Sequence, residues 1–207
     1  MAVGRAKGWR GTADLWLDAA HEALVRGGVE AVKVLPLAQG LGLSRTSFYH
    51  HFDDREALLA ALVSRWRARN GPALVGRAGA AASTVTEAIL GVFDCWVDAA
   101  LFDSRLEFAI RNWALTDTAV AQALKAEDAL RLAALAGLFR RHGADGDEAE
   151  VRARTVYLTQ IGYIAMGEDE DFETRMARVP TYALTFTGKM PSASEIAAFR
   201  ARHDPRG

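Results

Sequence analysis

The chain has 207 residues, half of them apolar, with 25 Lys/Arg against 26 Asp/Glu and a single cysteine. That length can hold a sizeable core, no apolar run approaches the ~20 residues of a membrane span, and Cys95 alone cannot close an internal disulfide. Residues 1–70 hold ten Lys/Arg and seven Asp/Glu, whereas the rest holds fifteen and nineteen, so a basic front meets an acidic rear, a polarity that suits DNA binding at one end.

The first ten residues carry Arg5, Lys7 and Arg10 without an apolar segment. They read as a basic arm and not as a secretory signal, which points to the cytoplasm. The arm either tracks DNA or is an idle tail. Scarce proline and recurrent apolar spacings of three and four predict an all-α chain. Thr12 caps a first helix over 12–26, with Trp16, Ala20 and Leu24 as its inner stripe and Gly27-Gly28 as its stop. A second helix starts near Val34, where Lys33 makes a weak cap and Pro36 falls in the tolerant first turn.

Residues 37–52 read as two short helices around a glycine turn. Leu37 and Leu41 share one face, Gly42 supplies the turn, Ser44 caps the second of the two helices, and Phe48 and Phe52 point inward. The outward face then shows Arg45, Thr46, Ser47, Tyr49 and His51. No carboxylate stands between Ser44 and Phe52 to repel a phosphate backbone. This is the pattern of a helix-turn-helix whose second helix enters a major groove.

Asp53 with Glu56 predicts a capping box opening a helix over 53–69, closed by Gly71-Pro72. A small-residue connection comes next, over 76–83. Further helices are expected from Thr84 through Val97, then around Phe108–Trp113, and over 117–142, 148–166 and 171–187. A short one is capped by Ser192 with Glu195. The acidic run 168–171 reads as a solvated turn. Cys95 lies in an apolar stretch and reads as a buried, inert thiol.

Residues 42–59, GLSRTSFYHHFDDREALL, resemble the signature of the tetracycline-repressor family of bacterial regulators. The segment 12–28 resembles that family's first helix. The resemblance covers the first third of the chain. It implies a three-helix DNA-binding domain over 8–52, a connecting helix over 53–69, and a larger effector-binding and dimerisation domain over 70–207. It assigns Tyr49 and His51 to the DNA backbone and Arg55 to a phosphate, while Arg45, Thr46 and Ser47 lie in the first turn of the recognition helix, where side chains reach base edges. It also implies an apolar effector pocket in the rear domain. Its candidate lining is Phe93, Trp96, Phe102, Phe108, Trp113 and Tyr157, with Arg111, Asn112 and Gln160 as polar groups. For any one of those aromatics taken alone, ordinary core packing is the favoured reading.

Leu158, Gly162 and Ala165, with Val179, Ala183 and Phe186, offer small and apolar faces on the helices over 148–166 and 171–187. These faces either pair with a second copy in a four-helix bundle or pack within one chain. The five histidines show no metal-ligand spacing, and no nucleophile motif or phosphate-cradling loop is present, so neither metal, cofactor nor catalysis is expected. The expectation is a homodimeric repressor, released from a palindromic double-stranded operator by a small molecule. The two recognition helices would sit about 34–36 Å apart, or a multiple of it. The rivals are a ligand-independent architectural DNA-binding protein, which a filled core would favour, and an enzyme or small-molecule carrier.

Overall fold

The computed structural model describes residues 11–167 and 170–204. The basic arm with Arg5, Lys7 and Arg10 lies outside the described residues, as do Glu168 and Asp169 of the acidic turn. The described residues form helices and connections with no strand: α1 (Ala13–Gly27), α2 (Val34–Leu41), α3 (Arg45–Phe48), α4 (Arg55–Gly79), α5 (Val85–Val97), α6 (Ser104–Ala114), α7 (Thr118–Arg141), α8 (Gly146–Met166), α9 (Phe172–Thr187) and α10 (Ala193–His203). A short 3-10 turn, Val29–Ala31, joins α1 to α2.

Side-chain caps fix most starts. Thr12 accepts from Leu15 N, Ser44 from Ser47 N, Thr84 from Glu87 N and Asp103 from Leu106 N. Ser192 and Glu195 make a full capping box. Each satisfies a backbone N–H that the helix itself leaves orphaned. Lys33 gives α2 no side-chain cap, as its chemistry dictates. The cap of α4 is Asp54, which accepts from Ala57 N at 2.7 Å, one residue later than the expected Asp53.

The end of α4 is a larger correction. It continues through Gly71-Pro72 to Gly79 instead of stopping near Arg69. An interior proline costs about 3 kcal/mol. Leu74 and Ala78 beyond it are wholly buried in the rear core, and burying one leucine alone contributes about 1.5–3 kcal/mol. Asn70 adds hydrogen bonds to the backbone of Asp103 in both directions. Gly71 lies close to α7: a Cβ there would come within 2.8 Å of Glu127 Oε2, and that carboxylate would have to shift. Tertiary packing therefore carries the helix across its breaker.

Two cores result, and α4 runs through both. The front core joins Trp16, Ala20 and Leu24 of α1 with Leu37, Phe48, Leu58, Leu62 and Trp66, and it recruits Leu106, Ile110 and Trp113 from α6. The rear core joins the last turns of α4 to α5, α7, α8, α9 and Phe199 of α10. Cys95 sits in the rear core, where burial pushes its thiol up to about 12, in keeping with an inert role.

Candidate nucleic-acid interface and effector cavity

The helix-turn-helix is built from its turn outward. Gly42 takes a left-handed φ of 64° at the end of α2, and its N–H bonds back to Ala38 O and Gln39 O. Leu43 N returns to Ala38 O at 2.9 Å. Phe48 is fully buried, with its ring edge-on to Trp16 at 5.4 Å and stacked on Phe52 at 5.5 Å. This pins α3 against α1, and Arg45, Thr46, Tyr49 and His50 are left exposed. Arg45 Nη2 donates to Tyr49 Oη at 3.2 Å one turn on, so the two side chains share one outward face.

Three of the expected DNA contacts stand differently. Ser47 is buried, with its hydroxyl 3.1 Å from that of Ser44; it closes the cap and does not face outward. His51 is half-buried, and its Nε2 is enclosed without a hydrogen-bond partner. Arg55 is engaged inside the domain. Its Nε donates to Val32 O at 2.7 Å and its Nη2 to Val29 O at 2.8 Å. Val29 O also closes the 3-10 turn by accepting from Val32 N at 3.1 Å, so the guanidinium ties that turn to the first residue of α4. His50, exposed beside Tyr49, is a candidate that the sequence pattern passes over.

The expected effector residues separate into three groups. Phe93, Trp96 and Gln160 do line a cavity, of about 140 Å³ and partly open to solvent, between α5, α8 and α9. Phe102 and Trp113 are core residues, the first of the rear core and the second of the front. Phe108 and Asn112 are exposed. Arg111 and Tyr157 belong to a buried charge network and not to the cavity wall. The cavity takes its other rings from Tyr163, Tyr182 and Phe186 and its charges from Glu170, Arg175 and Arg178. Most of those residues come from α9 and the turn before it, at spacings unrelated to Phe93 and Trp96, so periodicity could not join them.

The network is centred on Glu107, which has no exposed surface. It accepts from Trp66 Nε1 at 2.6 Å and Asn70 Nδ2 at 3.0 Å on α4, from Arg111 Nε at 3.0 Å on its own helix, and from Arg131 Nη1 at 2.9 Å on α7. Burial alone would raise its pKa. Arg131 and Arg111, then the Asn70 and Trp66 hydrogen bonds, outweigh it and hold the carboxyl below its ordinary value. Tyr157 on α8 donates to Asp128 at 2.6 Å and accepts from Arg111 and Arg131, each at 3.0 Å. Burial drives its phenol upward, so Tyr157 stays neutral.

The expected dimer face also divides. Val179, Ala183 and Phe186 are buried within the chain's own rear core, where α9 packs on α5 and α8. On α8, Leu158 is 58 % exposed, and a Cβ added at Gly162 would meet nothing within 4 Å. Ala165 is exposed as well, and Val151 and Met166, 63 % and 76 % exposed, lie near the two ends of the same helix.

Residues 17–62 match the family model of the bacterial regulatory proteins of the tetR family. Residues 17–62 are thus a TetR-family DNA-binding domain. Solved TetR-like structures share the whole fold at low identity. A TetR transcriptional regulator from Legionella pneumophila is 14% identical with a TM-score of 0.58, over 99% of this chain and 100% of that one. The fatty acid degradation regulator FadR from Bacillus halodurans is 17% identical with a TM-score of 0.63, over 89% and 97%. FadR from Bacillus subtilis, solved in complex with stearoyl-CoA, is 15% identical with a TM-score of 0.54, over 84% and 95%. No curated protein matches the sequence significantly. The TetR likeness over the rear domain is thus one of fold. Among the described residues no helix is long and apolar enough to cross a membrane, and no cluster of His, Cys, Asp or Glu could hold a metal.

Proposed function

We propose that this TetR-family regulator is a ligand-responsive dimer, most simply a repressor, that leaves a palindromic operator when a small molecule enters the cavity between α5, α8 and α9. The observation that carries the reading is the continuous path of contacts from that cavity to the DNA-binding domain. Val156 lines the cavity. Its neighbour Tyr157 bonds Arg111 and Arg131, these hold Glu107, and Glu107 holds Trp66 and Asn70 on α4. Helix α4 in turn carries Leu58, Leu62 and Trp66 into the core behind α3. A ligand that favours one setting of α8 therefore has a packed route to the recognition helix, provided its affinity differs between the two settings.

In this reading Arg45, Thr46, Tyr49 and His50 face the DNA, and the outward stripe of α8 through Leu158 and Gly162 pairs with a second copy. A cavity of this kind speaks against a purely architectural DNA-binding protein. The test is anisotropy of a fluorescent duplex carrying the palindrome upstream of the gene, together with sedimentation of the free protein. Tight, salt-dependent binding by a dimer supports the reading. Tight binding by a protein that sediments as a monomer at micromolar concentration removes the dimer, and binding equal for palindrome and random duplex removes the operator.

A further inference from the structure

We propose that the effector is a single-ring aromatic carboxylate, an inference that rests on the cavity being the effector site. The first observation is size. A cavity near 140 Å³ matches the roughly 150 Å³ of engineered apolar cavities that take up one benzene. It falls well short of the ~300–1,000 Å³ of pockets for drug-sized ligands. A long acyl chain would have to extend out of such a volume.

The second observation is the wall. Trp96, Phe93, Phe186, Tyr182 and Tyr163 form an unbroken series of ring contacts. Consecutive centroids lie 5.6, 6.0, 5.7 and 6.0 Å apart, in tilted, edge-on, stacked and edge-on geometry. A planar ring entering there meets both faces and edges of aromatic partners, which a saturated chain of equal volume cannot exploit.

The third observation is charge. Glu170 and Arg178 on the cavity wall are ion-paired with each other. That leaves Arg175 as the surplus positive charge among the described lining residues. Its side chain is half-buried and gives Nη1 to the backbone carbonyl of Trp96 at 3.2 Å, which ties it to the last turn of α5. Trp96, which lines the same cavity, has its Nε1 buried without a hydrogen-bond partner, so an acceptor on the ligand would supply what this donor lacks. A surplus guanidinium and an unsatisfied N–H on two residues of one aromatic cavity wall point to a ring bearing an anionic oxygen.

Isothermal titration of the full-length protein with benzoate, benzamide and hexanoate tests this, using wild type, Arg175→Gln and Thr159→Trp. Thr159 lines the cavity, so tryptophan there fills the space from its edge, and circular dichroism checks that both variants stay folded. Benzoate is expected to bind at least about tenfold more tightly than either analogue, the usual worth of a hydrogen bond to a charged group. Arg175→Gln should bring benzoate down to the benzamide level, and Thr159→Trp should abolish binding of both rings. Equal affinity for benzoate and benzamide, or full retention by Arg175→Gln, overturns the carboxylate; equal affinity for hexanoate overturns the ring. In those cases loss of binding in Thr159→Trp still upholds the cavity. Binding indifferent to Thr159→Trp, or no binding of any of the three, overturns the proposal, and in the first case the cavity reading falls with it.

Discussion

Glu107 of α6 and Arg131 of α7 meet at 2.9 Å with neither side chain exposed to solvent. Arg131 lies between the rings of Trp66 and Phe102, at 5.3 and 5.5 Å, so the pair is enclosed by rings from α4 and from the turn before α6. Two buried charges in a helical core are costly to desolvate. Glu107 offsets the cost by accepting from Trp66, Asn70, Arg111 and Arg131, whereas Arg131 bonds Glu107 and Tyr157 through Nη1 alone and keeps Nε and Nη2 buried without a hydrogen-bond partner. Their place, where the front and rear cores adjoin, makes them the joint between the DNA-binding domain and the rest.

Removing one partner should expose that cost. Glu107→Gln leaves Arg131 charged and poorly paired, and should destabilise the fold by about 3–5 kcal/mol. The double change Glu107→Leu with Arg131→Met should recover much of the loss, because apolar groups of similar volume need no pairing. Urea denaturation of the single and double variants measures both. A double variant as unstable as Glu107→Gln would show that the pair matters for its shape and not for its charges.

The depressed pKa of Glu107 sets a pH dependence. Its folded value lies below the ordinary carboxylate value, chiefly because Arg131 and Arg111 outweigh burial. Its stabilisation is therefore complete above the unfolded pKa of about 4.3 and is lost as pH falls through the lower folded value. Urea midpoints should fall on acidification below about pH 4.3, and Glu107→Gln should flatten that fall. Parallel profiles for the two proteins would assign the acid sensitivity to other carboxylates.

Arg45 and Arg55 should part company. Arg45→Ala should leave the melting curve unchanged and weaken operator binding by about 1–3 kcal/mol if its guanidinium reads a base edge. Arg55→Ala removes two donors from the carbonyls of Val29 and Val32. It should cost about 1.5–3 kcal/mol of stability, visible in thermal melts without DNA. An Arg55→Ala protein of native stability that binds all duplexes weakly would return Arg55 to the phosphate.

Gly162 and Phe186 offer the matching contrast at the rear. A side chain at Gly162 meets nothing within its own chain, so Gly162→Trp should keep helical content and stability yet split the dimer in sedimentation. Phe186 is buried against Phe93 and Tyr182, so Phe186→Ala should lower stability by about 3–5 kcal/mol whatever the oligomeric state. A Gly162→Trp protein that stays dimeric moves the interface off this face of α8.

Much of the front domain is legible in sequence because its signals are local. Thr12, Ser44 and Gly42 act on backbone groups within three or four residues of themselves, and Phe48 follows from helical spacing. Arg55 escapes such a reading because its partners, Val29 and Val32, are more than twenty residues away and are backbone carbonyls, which leave no trace in side-chain pattern. At the rear, periodicity marks Val179, Ala183 and Phe186 as one apolar face. It cannot say whether α5 or a second chain covers them.

The all-helical class, most of the caps, the glycine turn and the exposure of Arg45, Thr46 and Tyr49 therefore belong to the primary structure, since each depends on covalent geometry and short-range hydrogen bonding. Three-dimensional packing alone carries α4 through Pro72, gives Trp113 to the front core, joins three helices at Glu107 and Arg131, and opens a ring-sized cavity beside Trp96. Those outcomes depend on which buried surfaces meet, and burial is non-directional. Many pairings satisfy one apolar pattern equally well, and only packing the whole chain at once selects among them.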